Sequence, residues 1–217
     1  VPIVIRLIIG RGWGQGPTHS QNLQSWFNHI PGLKVVMPSF ADDAKGLLIA
    51  SIFDPNPVVF LEHRWLHGIK TDFKKGNYKT KIGKAKICKT GKDITIVGMS
   101  YLTLEAIEAS KYLYDNFNIK AEIIDLRTIK PLDWRSIFKS VEKTGRLLVL
   151  DTGFTTGSVA GEIVAKVSTE KFNKLKSAPA RLAMPDVPEP TSFALTKNFH
   201  ITSQTIIKKV LKILNIN

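Results

Sequence analysis

The chain has 217 residues, 43% hydrophobic and 23% charged, with 31 Lys and Arg against 18 Asp and Glu for a net charge of +13. That length and apolar content suit one large domain or two modest ones with real cores, and exclude a disordered chain. Cys88 is the single cysteine, so no internal disulfide forms, and a reducing compartment, the cytoplasm, is expected.

The apolar runs fall far short of a membrane span. Val1-Pro-Ile-Val-Ile-Arg6 is too short and wrongly flanked for a signal peptide. It reads as a strand that begins mid-fold, so a part of a larger subunit or assembly is expected. The run from Pro2 to Ile9 is nearly continuous, which predicts a strand covered on both faces. It enters the turn Gly10-Arg-Gly-Trp-Gly-Gln-Gly-Pro17, followed by Thr18 and then His19, Ser20 and Gln21. A strand that runs into a glycine-rich turn and delivers polar groups at a helix start is a common place for α/β chemistry. The spacing is not a dinucleotide fingerprint: Gly10-x-Gly12 would need glycine at position 15, where Gln15 stands. The His19 imidazole is the candidate for moving a proton near neutral pH. A hydrogen-bonded structural role is the equal alternative on the residues alone.

A short helix from Asn22 to Ile30 follows, stopped by Pro31-Gly32. Lys34 to Met37 predicts a strand. A helix begins at Ser39 to Asp43, with Asp42 and Asp43 in a first turn that favours acids. Val58 to Leu61 predicts a third strand. His29 and His63, at element ends, read as structural. Residues 67–91 read as a linker with some extended structure around Ala85 to Cys88. The lysines between Lys70 and Lys92 are interleaved only with Phe73 and Tyr78. No nucleic-acid module signature accompanies them, so a solvated linker is preferred over a nucleic-acid site.

From Lys92 strands and helices alternate: strands at 94–99, 121–126, 146–150 and 180–184, and helices at 103–116, 132–141, 158–172 and 202–214. Such alternation predicts a mostly parallel sheet with helices on both faces. Asp151 stands after an apolar strand, where ligands of open sheets bind. Capping of the following turn is the favoured reading. For Asp125-Leu-Arg127 the favoured reading is an internal salt bridge. No zinc-ligand spacing, Walker loop or Gly-x-Ser-x-Gly elbow occurs.

Several phrases taken in order resemble the β subunit of thiamine-dependent 2-oxo acid dehydrogenases, within the transketolase-like family. They are His19-Ser-Gln21, Pro31-Gly-Leu-Lys-Val-Val36, Asp43-Ala-Lys-Gly-Leu-Leu48, Pro57-Val-Val-Phe-Leu-Glu62, Ile124-Asp-Leu-Arg-Thr-Ile129 with Pro131-Leu-Asp133, and Ser140-Val-Glu-Lys-Thr-Gly-Arg146. The resemblance implies an α/β fold: part of a transketolase-like pyrimidine-binding domain over residues 1–66, the linker, then a transketolase C-terminal domain over 92–217. It implies thiamine diphosphate shared with an α subunit, with magnesium held mainly by that subunit. It implies a second β subunit, and a lipoyl acyltransferase core as a further partner; no membrane is implied. The reaction would be oxidative decarboxylation of a 2-oxo acid with acyl transfer to lipoyl.

By the same resemblance His19 is the active-site histidine. The glutamate that activates the cofactor lies upstream of anything matched, so the chain is expected to be incomplete and inactive alone. Thr152 next to Asp151, Lys176 in Leu175-Lys-Ser-Ala-Pro179, and Thr196 depart from the family's acidic residues. Two further readings are a non-catalytic assembly module and a transketolase-like enzyme acting on sugar phosphates through Arg6, Arg11 and Arg64.

Overall fold

The computed structural model describes residues 1–10, 15–72, 74–197 and 199–216. The first sheet contains β1 (Val4–Ile9), β2 (Lys34–Val36) and β3 (Val58–His63), joined through α1 (Gln24–His29) and α2 (Ala41–Ile52). Its strand order is β1-β3-β2, followed by a fourth strand that comes from much later in the chain. The second sheet contains β4 (Lys86–Lys89), β5 (Ile94–Gly98), β6 (Ala121–Asp125), β8 (Leu147–Phe154) and β9 (Ala180–Met184), in the order β4-β6-β5-β8-β9. All its pairings are parallel except β4 against β6, at the edge. The helices of this half are α3 (Tyr101–Phe117), α4 (Trp134–Thr144), α5 (Val159–Glu170), the short α6 (Phe193–Thr196) and α7 (Ser203–Leu214).

Strand periodicity sorts the second sheet's side chains into two layers. Ile94, Ile96, Ile123, Leu148 and Leu150 pack with Ala106 and Leu113 of α3 and Ile206 and Val210 of α7. Val97, Ile124, Leu147 and Val149 turn the other way, to Ile137 and Val141 of α4 and Ile163 and Val167 of α5. That second layer does not stop at the sheet. Val35, Met37, Val59 and Leu61 of the first sheet belong to the same core. The opposite face of the first sheet, through Val36, Val58 and Phe60, packs on Leu47 of α2. The two sheets therefore share one hydrophobic interior.

Two expectations change. The run from Pro2 to Ile9 forms a sheet edge rather than a strand covered on both faces: Ile5 is 42% and Ile8 58% exposed. Its partner is β3 alone among the described strands, in parallel register from Val4–Val58 to Ile9–His63. An unbroken apolar run specifies burial but not what does the burying. The second change is β7 (Thr128–Lys130), which pairs antiparallel with β2 and ties the chain back to the first sheet. Three residues are too few for a periodicity to show.

The segment between β6 and β7 is where the halves are pinned. Arg127 sits at φ +56°. Its guanidinium does not pair with Asp125 as expected. It reaches Asp43 of α2 at 2.7 Å and donates to the Lys84 and Ala85 carbonyls at 3.0 and 3.3 Å. Lys86 adds a second cation 3.2 Å from Asp43. Asp125 is left to the neutral donors Ser39 Oγ at 2.8 Å, Thr103 Oγ1 at 3.3 Å and the Arg127 amide at 3.2 Å. It is fully buried, and its Oδ2 has no hydrogen-bond partner among the described residues.

Burial therefore pushes the Asp125 carboxyl from 3.8 up to about 7. Between those values the folded protein holds a proton that the unfolded chain has released, so stability falls as pH rises through that window. Asp125→Asn mimics the protonated carboxyl and is expected to flatten this slope. Its stability relative to wild type should rise between about pH 4 and pH 7, by up to roughly 4 kcal/mol on about 1.4 kcal/mol per pH unit. Urea denaturation across that range measures it, and parallel curves for the two proteins would contradict the assignment.

Candidate functional site

The loop that leaves β1 is built from the glycine that begins it. Gly10 has φ +77°, and a Cβ there would overlap the His63 ring. Only glycine lets the backbone pass over that ring in this conformation. The Gly10 amide donates to the Gln21 carbonyl at 3.1 Å and so closes the base of the loop. Inside it, Gln21 Nε2 donates to the Pro17 carbonyl at 3.0 Å. Residues 11–14, the middle of the glycine-rich turn, lie outside the described residues, and Arg11 with them.

His19 follows the 3-10 turn Gly16–Thr18 and is exposed. Ser20 beside it is buried, at 3% exposure, and its Oγ has no partner among the described residues. So the loop turns the imidazole outward and the hydroxyl inward. His63, at the end of β3, is 5% exposed and caps the turn Arg64–Leu66, its Nδ1 accepting from the Trp65 amide at 3.2 Å. It stacks on Tyr101 at 5.3 Å between centroids. His29 lies exposed at the end of α1, with no link to His19.

The other end of the loop is held by the second sheet. Gln24, the first residue of α1, is fully buried. Its Nε2 donates to Asp151 Oδ1 at 2.7 Å and to Thr152 Oγ1 at 3.1 Å. Asp151 also accepts from the Gly153 amide at 2.8 Å and, on Oδ2, from the Ala160 amide at 2.9 Å in the first turn of α5. It caps both a turn and a helix. Burial pushes its carboxyl up, and the amides of Gly153, Ala160 and Gln24 pull it back. A Cβ on Gly153 would stand 2.8 Å from Gln24 Nε2, so a glycine there admits the glutamine. Sequence reasoning missed Gln24. It looked like one polar position on a short helix, and its partner lies 127 residues away.

The remaining candidates do not converge. Arg6 pairs with Glu62 at 2.8 Å on the exposed face of β1 and β3, and Arg64 Nη1 donates to Gln15. Two hollows flank α1. One, of about 1170 Å³, opens between Trp26, His29, Trp134, Gly157 and Arg181. The other, of about 420 Å³, lies between Ser20, Leu23, Trp26, Phe154 and Glu189. His19 lines neither. Among the described residues no group of three His, Cys, Asp or Glu side chains is placed to hold a metal ion. The described residues thus supply one edge near His19 and do not by themselves enclose a diphosphate cofactor.

Gly10→Ala should be destabilising on two counts: about 1–2 kcal/mol for the positive φ, and more for overlap with His63. Adding His63→Ala should give back the overlap part only, since the φ penalty stays. Denaturant titration of the single and double variants reads the two parts separately. Equal stability of wild type and Gly10→Ala would refute the close approach.

Residues 83–206 match the transketolase C-terminal domain, and residues 1–69 the transketolase pyrimidine-binding domain. The β subunit of acetoin:2,6-dichlorophenolindophenol oxidoreductase from Cupriavidus necator is 42% identical, over 88% of this chain and 56% of that protein. The pyruvate dehydrogenase E1 component β subunit of Rhizobium meliloti is 44% identical, over 90% of this chain and 43% of that protein. The mitochondrial subunit of the same name from Chaetomium thermophilum is 41% identical, over 94% of this chain and 54% of that protein. The chain thus spans about half the length of these relatives. A solved structure of a split-gene transketolase, described as an inactive β4 tetramer, superimposes with a TM-score of 0.81 at 21% identity, covering 98% of this chain and 66% of that one, which shows the shared fold. Two domain matches on a shared α/β core place the chain in the transketolase-like family, with relatives that are β subunits of pyruvate dehydrogenase and of acetoin:2,6-dichlorophenolindophenol oxidoreductase.

Proposed function

We propose that the chain serves as the β-type component of a thiamine diphosphate-dependent 2-oxo acid dehydrogenase, working only together with an α subunit that carries most of the diphosphate and magnesium contacts. A second β subunit and a lipoyl-bearing acyltransferase complete the assembly in this reading. The observation that carries it is His19, exposed at the carboxyl end of a parallel strand on a loop anchored at both ends. Carbanion stabilisation belongs to the cofactor when it is bound. The part left to this chain is placement. An imidazole so presented donates a hydrogen bond to a developing oxyanion, or passes a proton, for a reacting group brought against it by the neighbouring subunit.

A second reading, a non-catalytic assembly module, is favoured by the apolar groups left exposed on β1 and α1. Ile5 and Ile8 on the edge strand, and Trp26 at 68% exposure, are surfaces that another chain would cover.

The test is co-expression of the full-length gene product with an α subunit, assayed with thiamine diphosphate and magnesium for reduction of an artificial electron acceptor. Pyruvate, branched-chain 2-oxo acids and acetoin are all offered, because proteins named for pyruvate and for acetoin are 44% and 42% identical to this chain. Turnover is expected with at least one of them. His19→Ala should lower it by about 10²- to 10⁴-fold without moving the thermal midpoint, since the side chain is exposed. Co-purification with the α subunit but no turnover on any substrate would favour the assembly reading. Unchanged turnover in His19→Ala would remove the histidine from the chemistry.

A further inference from the structure

The link between Gln24 and Asp151 joins the loop of His19 to the transketolase C-terminal domain, far from it in sequence. Three facts make it more than a stray contact. Gln24 is fully buried, and its Nε2 finds its partners inside the protein while its Oε1 has none among the described residues. Its Nε2 has two acceptors, Asp151 Oδ1 at 2.7 Å and Thr152 Oγ1 at 3.1 Å. Asp151 itself cannot drift, because the Gly153 and Ala160 amides grip its two oxygens at 2.8 and 2.9 Å. The rigid member is therefore the carboxylate at β8 and α5, and what it holds is the segment from His19 to Gln24. At the near end the same segment is fixed by the Gly10 amide on the Gln21 carbonyl, 3.1 Å. His19 stands two residues before Gln21, inside the loop that the Gly10–Gln21 bond closes, and Gln24 stands three residues after Gln21, so a shift of β8 or α5 reaches the imidazole along this segment.

We propose that Asp151 and Gln24 are positioning residues, through which the C-terminal domain sets where His19 stands. The inference rests on the reading of His19 given above, and acts on that same site. Asp151 and Gln24 touch no substrate in this scheme. They act through the loop, and the effect belongs on turnover rather than on substrate affinity.

Four variants of the full-length chain, paired with the α subunit, test it. Gln24→Met keeps the length and removes the amide. Asp151→Asn and Gln24→Glu each set two like groups against each other, amide to amide or carboxylate to carboxylate. Asp151→Asn also sets its new amide against a backbone N–H, because Gly153 and Ala160 each donate to one carboxylate oxygen, so the double variant tested is Asp151→Asn with Gln24→Met, which removes both ends of the link. Gln24→Met and both polar single variants should lower kcat by about tenfold or more while KM for the 2-oxo acid stays within about twofold. The double variant should lose little more than Asp151→Asn alone, since the link is already broken there.

The independent readout is the Cε1–H resonance of His19, identified by its loss in His19→Ala. It should shift or broaden in all four variants, with the His63 resonance in place throughout. A kcat loss that merely tracks the folded fraction, with the His19 resonance unmoved, would overturn the proposal. So would a double variant whose loss is the full product of its parents' losses. Should His19→Ala keep full turnover, the functional reading fails on its own, and the resonance still decides whether the tether exists.

Discussion

Two carboxylates without access to water hold the seam between the two sheets. Asp125 ends β6 and Asp151 lies in β8, and both are fully buried. Taking a carboxylate out of water costs several kcal/mol unless hydrogen bonds replace the lost solvation. Each aspartate finds part of its replacement in the other half of the molecule: Ser39 Oγ for Asp125, Gln24 Nε2 for Asp151. Pulling the halves apart would strip each acid of its donor from the other half. The apolar core that runs through the same seam supplies affinity without direction. The acids supply direction, because a hydrogen bond fixes distance and angle where a methyl group does not.

The seam also explains which parts of the molecule a linear reading reaches. The strands and helices of the C-terminal half were legible. Period-2 runs such as Ile94-Thr-Ile-Val97 and period-3.6 stripes such as Ile206, Val210 and Leu214 are local, and local caps mark their ends. Ser158 caps α5 through the Gly161 amide, and Gly145, with φ +71°, ends α4. Asp151 as a cap was legible for the same reason. What failed was long-range. Arg127 sits two residues from Asp125, yet its guanidinium chooses Asp43, 84 residues away. Gln24 carries no mark of its partner. The strand at Val4 has the apolar content of a buried one but stands at an edge. The family resemblance named His19, and nothing in the residues themselves separated it from a structural histidine.

Charge follows from the same economy. The net charge of +13 suggested a polyanion surface at first sight. Six of the 18 acids, however, are buried. Asp43 and Asp133 are buried with cations at their rims, Glu122 is paired with Lys143, and Asp125 and Asp151 hold the seam. Even the lysine-rich stretch is partly structural. Lys86 completes the Asp42–Asp43 cluster, and Lys79 lies 4.0 Å over the Phe53 ring. The balance of +13 comes from 31 Lys and Arg against 18 acids, and the burial of six of those acids adds to the basic character of the surface. A basic balance that arises this way is weak evidence for a nucleic-acid partner.

The glycine-rich turn takes on a different meaning in this setting. Its two described glycines each have a local steric role. Gly10 is small because it crosses the His63 ring, and Gly16 takes φ +60° beside the Thr191 side chain. The described part of the turn is closed at its base by one backbone bond, and the segment after it is fastened to Asp151. Anchoring of that kind matters only for a group whose position matters. The group it displays is His19, which makes little packing contact and would be an odd residue to hold so firmly for stability alone. Rigid anchoring around an exposed imidazole is what preorganised chemistry requires, because a donor that must reorganise at the moment of reaction loses most of its advantage. By this logic one buried aspartate keeps the halves in register, and the other fastens the segment that follows His19 to the second sheet.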